Sequence, residues 1–282
     1  SFLIDRMARL GATPDVIATK ITQESDPASR YALILALGQF DAANMSSEQR
    51  QSFADQLATL YRDDPDPGVH SAAGWTLRNW QRDELADKID VEMRNVGRKN
   101  QQWFVNSQGQ TFAVINGPVE FLMGEKTERK EPSRVTLSHN FAVATHEVTV
   151  EQFQKFRSDY RYDAVYAPKP DCPVNKVSWY DAVAYCIWLN EQEGIPKDQW
   201  CYEPNDNGEF AEGMKIAADF LSRTGYRLPT DEEWEFMCRA GTTSTYGFGE
   251  PTELLRQYAW YSGNRESHMS SVGVKLPNRL GA

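Results

Sequence analysis

Cysteine, histidine and clustered positive charge are all scarce in this chain, and each scarcity removes a class of function. The four cysteines, Cys172, Cys186, Cys201 and Cys238, stand 14, 15 and 37 positions apart, with no Cys-x-x-Cys pair and no histidine at zinc-ligand spacing. That pattern does not read as a metal site. It reads as buried or partly buried free thiols in reducing surroundings, and a cytoplasmic location is expected. The four histidines, His70, His139, His146 and His268, are also scattered, so only the fold could gather them into a ligand cluster. Against 40 acidic residues stand 30 basic ones, a net charge of −10, and no run of Lys or Arg interrupts the acidic balance. A nucleic-acid partner and an anionic membrane surface are therefore not expected. No apolar run approaches the roughly 18 residues that a membrane span needs. The chain opens on Ser1-Phe2 without a methionine or a signal-peptide pattern, and is expected to be an excised segment.

What is present begins with a repeat. Asp26-Pro27 and Asp66-Pro67 are offset by 40 positions, and the same offset relates Ala32 to Ala72, Leu37 to Leu77 and Phe40 to Trp80. In each copy Asp is placed as an N-cap and Pro as the first helical residue, with apolar residues following near helical spacing. Between the copies Ser46-Ser47-Glu48 opens another amphipathic helix with the stripe Phe53, Leu57, Leu60, Tyr61. The period is HEAT-like, and residues 1–95 are predicted to be paired helices. So short an array cannot bury its apolar faces alone, and needs further repeats upstream or a docked neighbour. It reads as a spacer or as a concave protein-docking surface.

Val96 to Gln102 turns polar and basic and marks a linker, after which the period changes from helix to strand. Trp103 to Val105 and Thr111 to Ile115 alternate around a Gln108-Gly109 turn. Val119 to Met123 gives a third strand, and Val135 to Leu137 and Phe141 to Val143 resume the pattern after a charged loop at 125–134. Thr149 with Gln152, and Ser178 with Asp181, cap two helices. Asp198 to Gly213 is predicted as loop, rich in oxygen donors but without the ligand spacing of an EF-hand. The last forty residues place Tyr246, Phe248, Tyr258, Trp260 and Tyr261 among Gly and Ser in irregular structure. Residues 100–282 thus form a second domain, and the whole is α+β.

The centre of that second domain is Thr224 to Gly241. Thr230 after Pro229, with Glu233 three residues on, makes a capping box. Trp234, Met237 and Cys238 are spaced to line the buried face of the helix it starts, with Gly241 as its left-handed terminator. Arg227, Glu232, Glu233, Glu235 and Arg239 read as solvated charges or structural ion pairs, ahead of catalysis. Gly225-Tyr226-Arg227-Leu228-Pro229-Thr230, followed by an acidic run and Trp234-Glu235, resembles the signature of the formylglycine-generating enzyme (sulfatase-modifying factor) family. The resemblance runs over about residues 100–281. It includes Phe121-Leu122-Met123-Gly124, Glu147-Val148-Thr149, Pro173-Val174, Val177-Ser178-Trp179, Pro277-Asn278 and Leu280-Gly281.

The resemblance implies a C-type-lectin-like fold, and an activity in which two cysteine thiolates hold copper and oxygen converts a sulfatase cysteine to formylglycine. In the family those cysteines follow a Gly-Asn-Val-Trp-Glu-Trp segment that also binds calcium, and this chain stops at Ala282, before either. None of its four cysteines matches a catalytic position. At a second calcium site an Asn expected after Tyr258-Ala259 is here Trp260. The domain is therefore expected to be incomplete at its C-terminus, with no catalytic or metal residue in this chain, and copper and calcium only if a further segment carries the ligands. A branch of ergothioneine type, with a His-x-x-x-His-x-Glu run, does not fit, since residues 1–95 contain only His70.

HEAT-like helices ahead of the domain resemble multidomain bacterial proteins of planctomycete type, with a kinase or other effector upstream as an expectation. Two readings follow: a non-catalytic module with a protein partner, or the front part of a copper-dependent oxidase. For the first, Glu147, Ser178, Trp179, Arg227, Leu228, Pro229, Thr230, Glu233, Trp234 and Glu235 are structural signature residues, with Trp234 buried, and Tyr258, Trp260 and Tyr261 a recognition surface. Limited proteolysis is predicted to cut first near Gly97 or Lys126. An early cut inside either helical repeat would overturn the division.

Overall fold

Two of the first helices start at Asp-Pro pairs for a reason visible in their side chains. Asp26 accepts a hydrogen bond from the Ser29 N–H and Asp66 one from the Val69 N–H, satisfying amides that a first turn leaves free, while Pro27 and Pro67 have no amide to satisfy. The structure, a computed structural model, describes residues 2–94, 96, 100–125, 131–264 and 267–282. Its first third consists of helices α1 (Phe2–Arg6), α2 (Pro14–Gln23), α3 (Pro27–Gly38), α4 (Ser47–Asp63), α5 (Pro67–Asn79) and α6 (Asp83–Met93). Ser46 and Gln49 close a capping box at the start of α4. The 40-residue offset appears as direct contact between α3 and α5. Asn79 Nδ2 donates to Gly38 O at 2.9 Å and Trp80 Nε1 to Phe40 O at 3.0 Å. Ile34, Leu35, Leu37, Leu57, Val69 and Leu77 are sealed in the core that the helices share.

The strands are β1 (Trp103–Val105), β2 (Thr111–Ile115), β3 (Val119–Met123), β4 (Ser133–Leu137) and β5 (Phe141–Ala144). One antiparallel sheet has the order β1-β2-β5, with Phe104 opposite Phe112 and Val114 opposite Ala142. Asn106 Oδ1 closes the β1–β2 turn by accepting from the N–H groups of Gln108 and Gln110. Among the described residues β3 pairs with β4 alone, as a separate hairpin. β4 starts at Ser133, so Arg134 belongs to a strand and not to the expected loop. Its guanidinium meets Glu120 on the same face of β3 at 3.1 Å, a cross-strand pair that favours the extended backbone. Lys126, Glu128, Arg129 and Lys130 of that loop, and Gly97, Arg98 and Lys99 of the linker, lie outside the described residues.

Helices α7 (Val150–Phe156) and α8 (Trp179–Gln192) start at the capping boxes of Thr149 with Gln152 and Ser178 with Asp181. The segment predicted as loop contains β6 (Tyr202–Glu203), which pairs with β7 (Lys215–Ile216) just beyond it. That pairing puts Cys201 and Tyr202 into an apolar cluster with Val183, Cys186 and Ile187 of α8.

The turn Asp64-Pro65-Asp66-Pro67 ties the helices to the rest of the chain. Asp64 Oδ2 accepts from Arg30 at 2.6 Å, and its carbonyl accepts from Trp103 Nε1 at 2.8 Å. Gln102 N–H donates to Pro65 O at 2.8 Å, and Arg279 reaches the cap residue Asp66 at 2.8 Å. Gly68 lets the C-terminal segment lie directly on α5, because a Cβ there would stand 2.3 Å from Arg279 O. Tyr31 donates its hydroxyl to Pro277 O at 2.6 Å, and Trp103, Val105 and Leu276 sit in the same core as the helices. The apolar core is thus continuous across the 96–102 boundary.

His70 seals this corner. Its ring stacks between Tyr61 at 4.5 Å and Trp103 at 3.8 Å. The Tyr61 carbonyl would ordinarily accept from the amide of residue 65, but Pro65 has none, and His70 Nδ1–H takes that place at 2.6 Å. Burial lowers the imidazole pKa from 6.5 to about 3. The unfolded chain therefore takes up this proton first. The stability contributed is whole above pH 6.5 and is lost as pH falls toward 3. In urea denaturation near neutrality and again near pH 5, the unmodified chain is expected to lose about 2 kcal/mol more between the two conditions than His70→Phe. Equal losses would mean that His70 is not held neutral.

Candidate functional site

One side chain organises the stretch Thr224–Gly241. Helix α9 (Asp231–Arg239) begins after Pro229. Thr230 Oγ1 accepts from the Glu233 N–H at 3.2 Å, and Glu233 Oε2 accepts in return from the Thr230 N–H at 2.9 Å. This reciprocal cap turns the Glu233 carboxylate inward, leaving the residue 1% exposed. Arg227 meets it with two parallel bonds, Nη1 to Oε2 at 2.6 Å and Nη2 to Oε1 at 2.5 Å, and His139 Nε2 adds a third at 2.7 Å. Burial acts to raise the carboxyl pKa, but the Arg227 hydrogen bonds, then His139 and the Thr230 amide, outweigh it and hold Glu233 below its ordinary value. An ionised carboxylate only accepts, so His139 carries a proton on Nε2.

The inward Glu233 also sets the rotation of α9, and here the spacing argument fails. Glu233, Phe236, Met237 and Ala240 form the buried face. Trp234, expected inward, is 61% exposed, and Cys238 is exposed beside it. Trp234 lies one position, about 100° of helix, beyond the carboxylate that is fixed to the core. Phe236 takes the aromatic place instead, edge-on to Phe121 at 5.5 Å and to Phe141 at 6.3 Å. The helix ends at Ala240 (φ 48°), one residue before Gly241 (φ 80°), with both in left-handed backbone.

The remaining charges of the stretch hold neighbouring elements. Glu235 Oε1 accepts from the Gly124 N–H at 2.6 Å and from Arg239 Nε at 2.7 Å, while Arg239 Nη2 donates to Gly124 O at 2.8 Å. Together they clamp the end of β3. Asn278 Nδ2 donates to Met237 O at 2.7 Å and so supplies a partner in the last turn of α9. The Leu228 N–H donates to the Tyr202 hydroxyl oxygen at 3.0 Å, and the Leu228 side chain packs into the cluster of Val183 and Cys201. Ser178 caps α8, Pro229 is exposed, and Glu147 is exposed ahead of the Thr149 cap. Trp179 is exposed and stands edge-on to Tyr202 at 6.0 Å. His139 belongs to no motif in the sequence, although it completes the Glu233 network. Its only local mark is the Ser138-His139-Asn140 break between β4 and β5.

Tyr258, Trp260 and Tyr261 do not form one surface. Tyr258 stacks on Phe248 at 4.5 Å and packs against the helical core, because the turn of helix α10 (Leu255–Tyr258) points it there, and burial pushes its hydroxyl pKa up to about 12. Trp260 and Tyr261 are exposed. The Trp260 ring covers Lys275 Nζ at 3.6 Å, and that ammonium donates to Arg256 O at 2.5 Å.

Cys172 and Cys238 stand apart from the other two thiols. Cys172 donates to Met269 O at 3.4 Å, and Cys201 toward Phe220 O and Gly225 O at 3.6 and 3.5 Å. Cys186 shares an apolar cluster with Cys201, and burial pushes its thiol up to about 12 and raises that of Cys201 as well. Among the described residues no three His, Cys, Asp or Glu side chains are grouped to hold a metal ion. No helix among them is long and apolar enough to cross a membrane.

A helical layer and a mixed helix and strand unit, joined through one core and centred on a buried Arg–Glu–His network, define the class. A sequence profile for the Sulfatase-modifying factor enzyme 1-like domain matches residues 98–282, and the chain belongs to that family. Among curated relatives, Chaperone protein LppX of Paenibacillus barcinonensis is 32% identical over 135 residues, 45% of this chain and 45% of its own length. The formylglycine-generating enzyme of Mycobacterium tuberculosis is 28% identical over 148 residues, 43% of this chain and 49% of that one. That of Bos taurus is 33% identical over 79 residues, 28% and 12% of the two chains. The chain spans less than half the length of these relatives, and no solved structure matches it.

The residues present do not fit the metals that the family resemblance implies. Copper(I) needs paired thiolates, whereas Cys186 and Cys201 are packed into an apolar cluster and Cys201 is already engaged with the Phe220 and Gly225 carbonyls. At the place of the expected calcium-ligating Asn, Trp260 covers an ammonium that already occupies a carbonyl oxygen. For stability, Glu233→Gln is expected to cost about 3 to 5 kcal/mol, since it strands the Arg227 charge in the core. Trp234→Ala is expected to change stability by no more than about 0.5 kcal/mol, as an exposed position. Thermal or urea melts of the two variants decide this, and a reversed order would sink the account of α9.

Proposed function

We propose that this chain is a non-catalytic recognition and scaffold module of the sulfatase-modifying-factor family, acting on a protein partner. The observation that carries this reading is the condition of the thiols, buried and protonated or dispersed, with no two presented as a thiolate pair. The signature charges support it as well, because Arg227, Glu233, Glu235 and Arg239 are all occupied in holding α9, β3 and the β4–β5 loop together. In this reading the first 95 residues are a HEAT-like repeat, and residues 100–282 a C-type-lectin-like domain, within a larger bacterial protein of planctomycete type. A signalling or effector domain, such as a kinase, lies upstream, and free cysteines suit a cytoplasmic setting. The Paenibacillus relative, named as a chaperone, also points to work on other proteins.

A second reading, the front part of a copper-dependent oxidase acting on sulfatase cysteines, is favoured by the two relatives named as formylglycine-generating enzymes. The two are separated by mass spectrometry of a Cys-x-Pro-x-Arg peptide incubated with the copper-loaded chain and oxygen. The module reading expects the cysteine mass unchanged. Gain of the formylglycine mass would overturn it.

A further inference from the structure

A cleft of about 440 Å³ opens between α7, α8 and the loop at 205–212, away from α9. Its volume falls within the range of about 300 to 1,000 Å³ usual for ligand clefts. Ala184, Ile187, Trp188 and Glu191 line it from α8, at the i, i+3, i+4, i+7 spacing that puts them on one stripe. Phe156 of α7 and Phe210 of the loop complete an aromatic lining, with the Phe156 and Trp188 rings 5.9 Å apart.

The charges in this cleft do not cancel. Arg157 lies over the Phe156 ring at 4.7 Å and pairs with Asp181, so that its charge is neutralised. Glu191 and Glu209 line the same cleft and are both exposed, and neither side chain is bonded to a described residue. The loop carrying Glu209 is held in shape from within. Asn205 Oδ1 accepts from the N–H groups of Asn207 and Glu209 at 3.0 Å each, and Asn205 Nδ2 donates to Glu212 O at 3.0 Å. Aromatic faces flanked by two uncompensated carboxylates match a flat cation that both stacks and forms paired hydrogen bonds. Arg157 on Phe156 already shows this stacking inside the chain.

We propose that this cleft receives an arginine side chain of a protein partner, stacked on Trp188 and Phe210 and ion-paired to Glu191 and Glu209. The proposal rests on the module reading and names the partner chemistry. It is tested on the full chain with a short Gly/Ser peptide carrying one arginine, against the same peptide carrying neutral citrulline, by calorimetry and by the indole N–H signal of Trp188. The arginine peptide is expected to bind and shift that signal, and the citrulline peptide to bind at least tenfold more weakly. Glu191→Gln and Glu209→Gln, both at exposed positions that leave the fold intact, are each expected to weaken binding three- to tenfold. Equal binding of the two peptides, full affinity in the double Gln variant, or no shift at millimolar peptide would overturn the proposal. Tighter binding of free arginine amide than of the peptide would replace the partner with a small cation and overturn it as well. Formylglycine formation in the assay above would leave these affinities unchanged, so the two readings fail separately.

Discussion

A carboxylate buried without compensation is strongly destabilising, and the compensation given to Glu233 dictates much of what surrounds it. Arg227 must approach in its plane, which fixes the chain before Pro229. His139 must approach from the β4–β5 loop, which fixes the sheet edge against α9. Thr230 must stand at the cap, which fixes where the helix begins. With the rotation of α9 settled in this way, Phe236 and Met237 face the core, and Glu235 and Arg239 are left on the side that grips Gly124. The residues most suggestive of chemistry in the sequence are thus the ones the fold consumes.

The second constraint is the acidic corner between α4 and α5. Asp64 and Asp66 serve local ends, a turn and a helix cap, and at the same time receive Arg30, Trp103 and Arg279 from three different parts of the chain. Proline at 65 removes an amide that the end of α4 needs, and His70 replaces it from the next helix. The helical layer therefore finds its docked neighbour within the same chain. The apolar faces that a short array cannot cover are closed by Trp103, Val105 and Leu276.

Local rules made much of this legible in the sequence. The caps at Asp26, Ser46, Asp66, Thr149, Ser178 and Thr230 are readable because capping depends on side chains within three residues of each other. The change from helical to strand periodicity near residue 100 is readable for the same reason. What escaped was decided by distant partners. Trp234 stands three and four positions before Met237 and Cys238 and by that spacing belongs inward, yet a glutamate with three donors outranks a tryptophan for the inner face. Tyr258 parts company with Trp260 and Tyr261 because a single helical turn aims it at a core built from the other end of the sequence. The cleft of Trp188 and Phe210 had no mark at all, since its two walls are about twenty positions apart and meet only through the loop that Asn205 holds.

The contacts that cover the helices carry a cost in time. Arg279 and Asp66 are 213 positions apart, and Tyr31 and Pro277 are 246. Closing spans of that length is entropically slow compared with winding the helices themselves. During synthesis from the N-terminus the helical layer forms early, while the strip that finishes its core is still unmade. Throughout that interval the slot for Leu276 and the edge of α5 at Gly68 face solvent. Until Leu276 has been made, a nascent chain therefore carries a sticky apolar edge along α5.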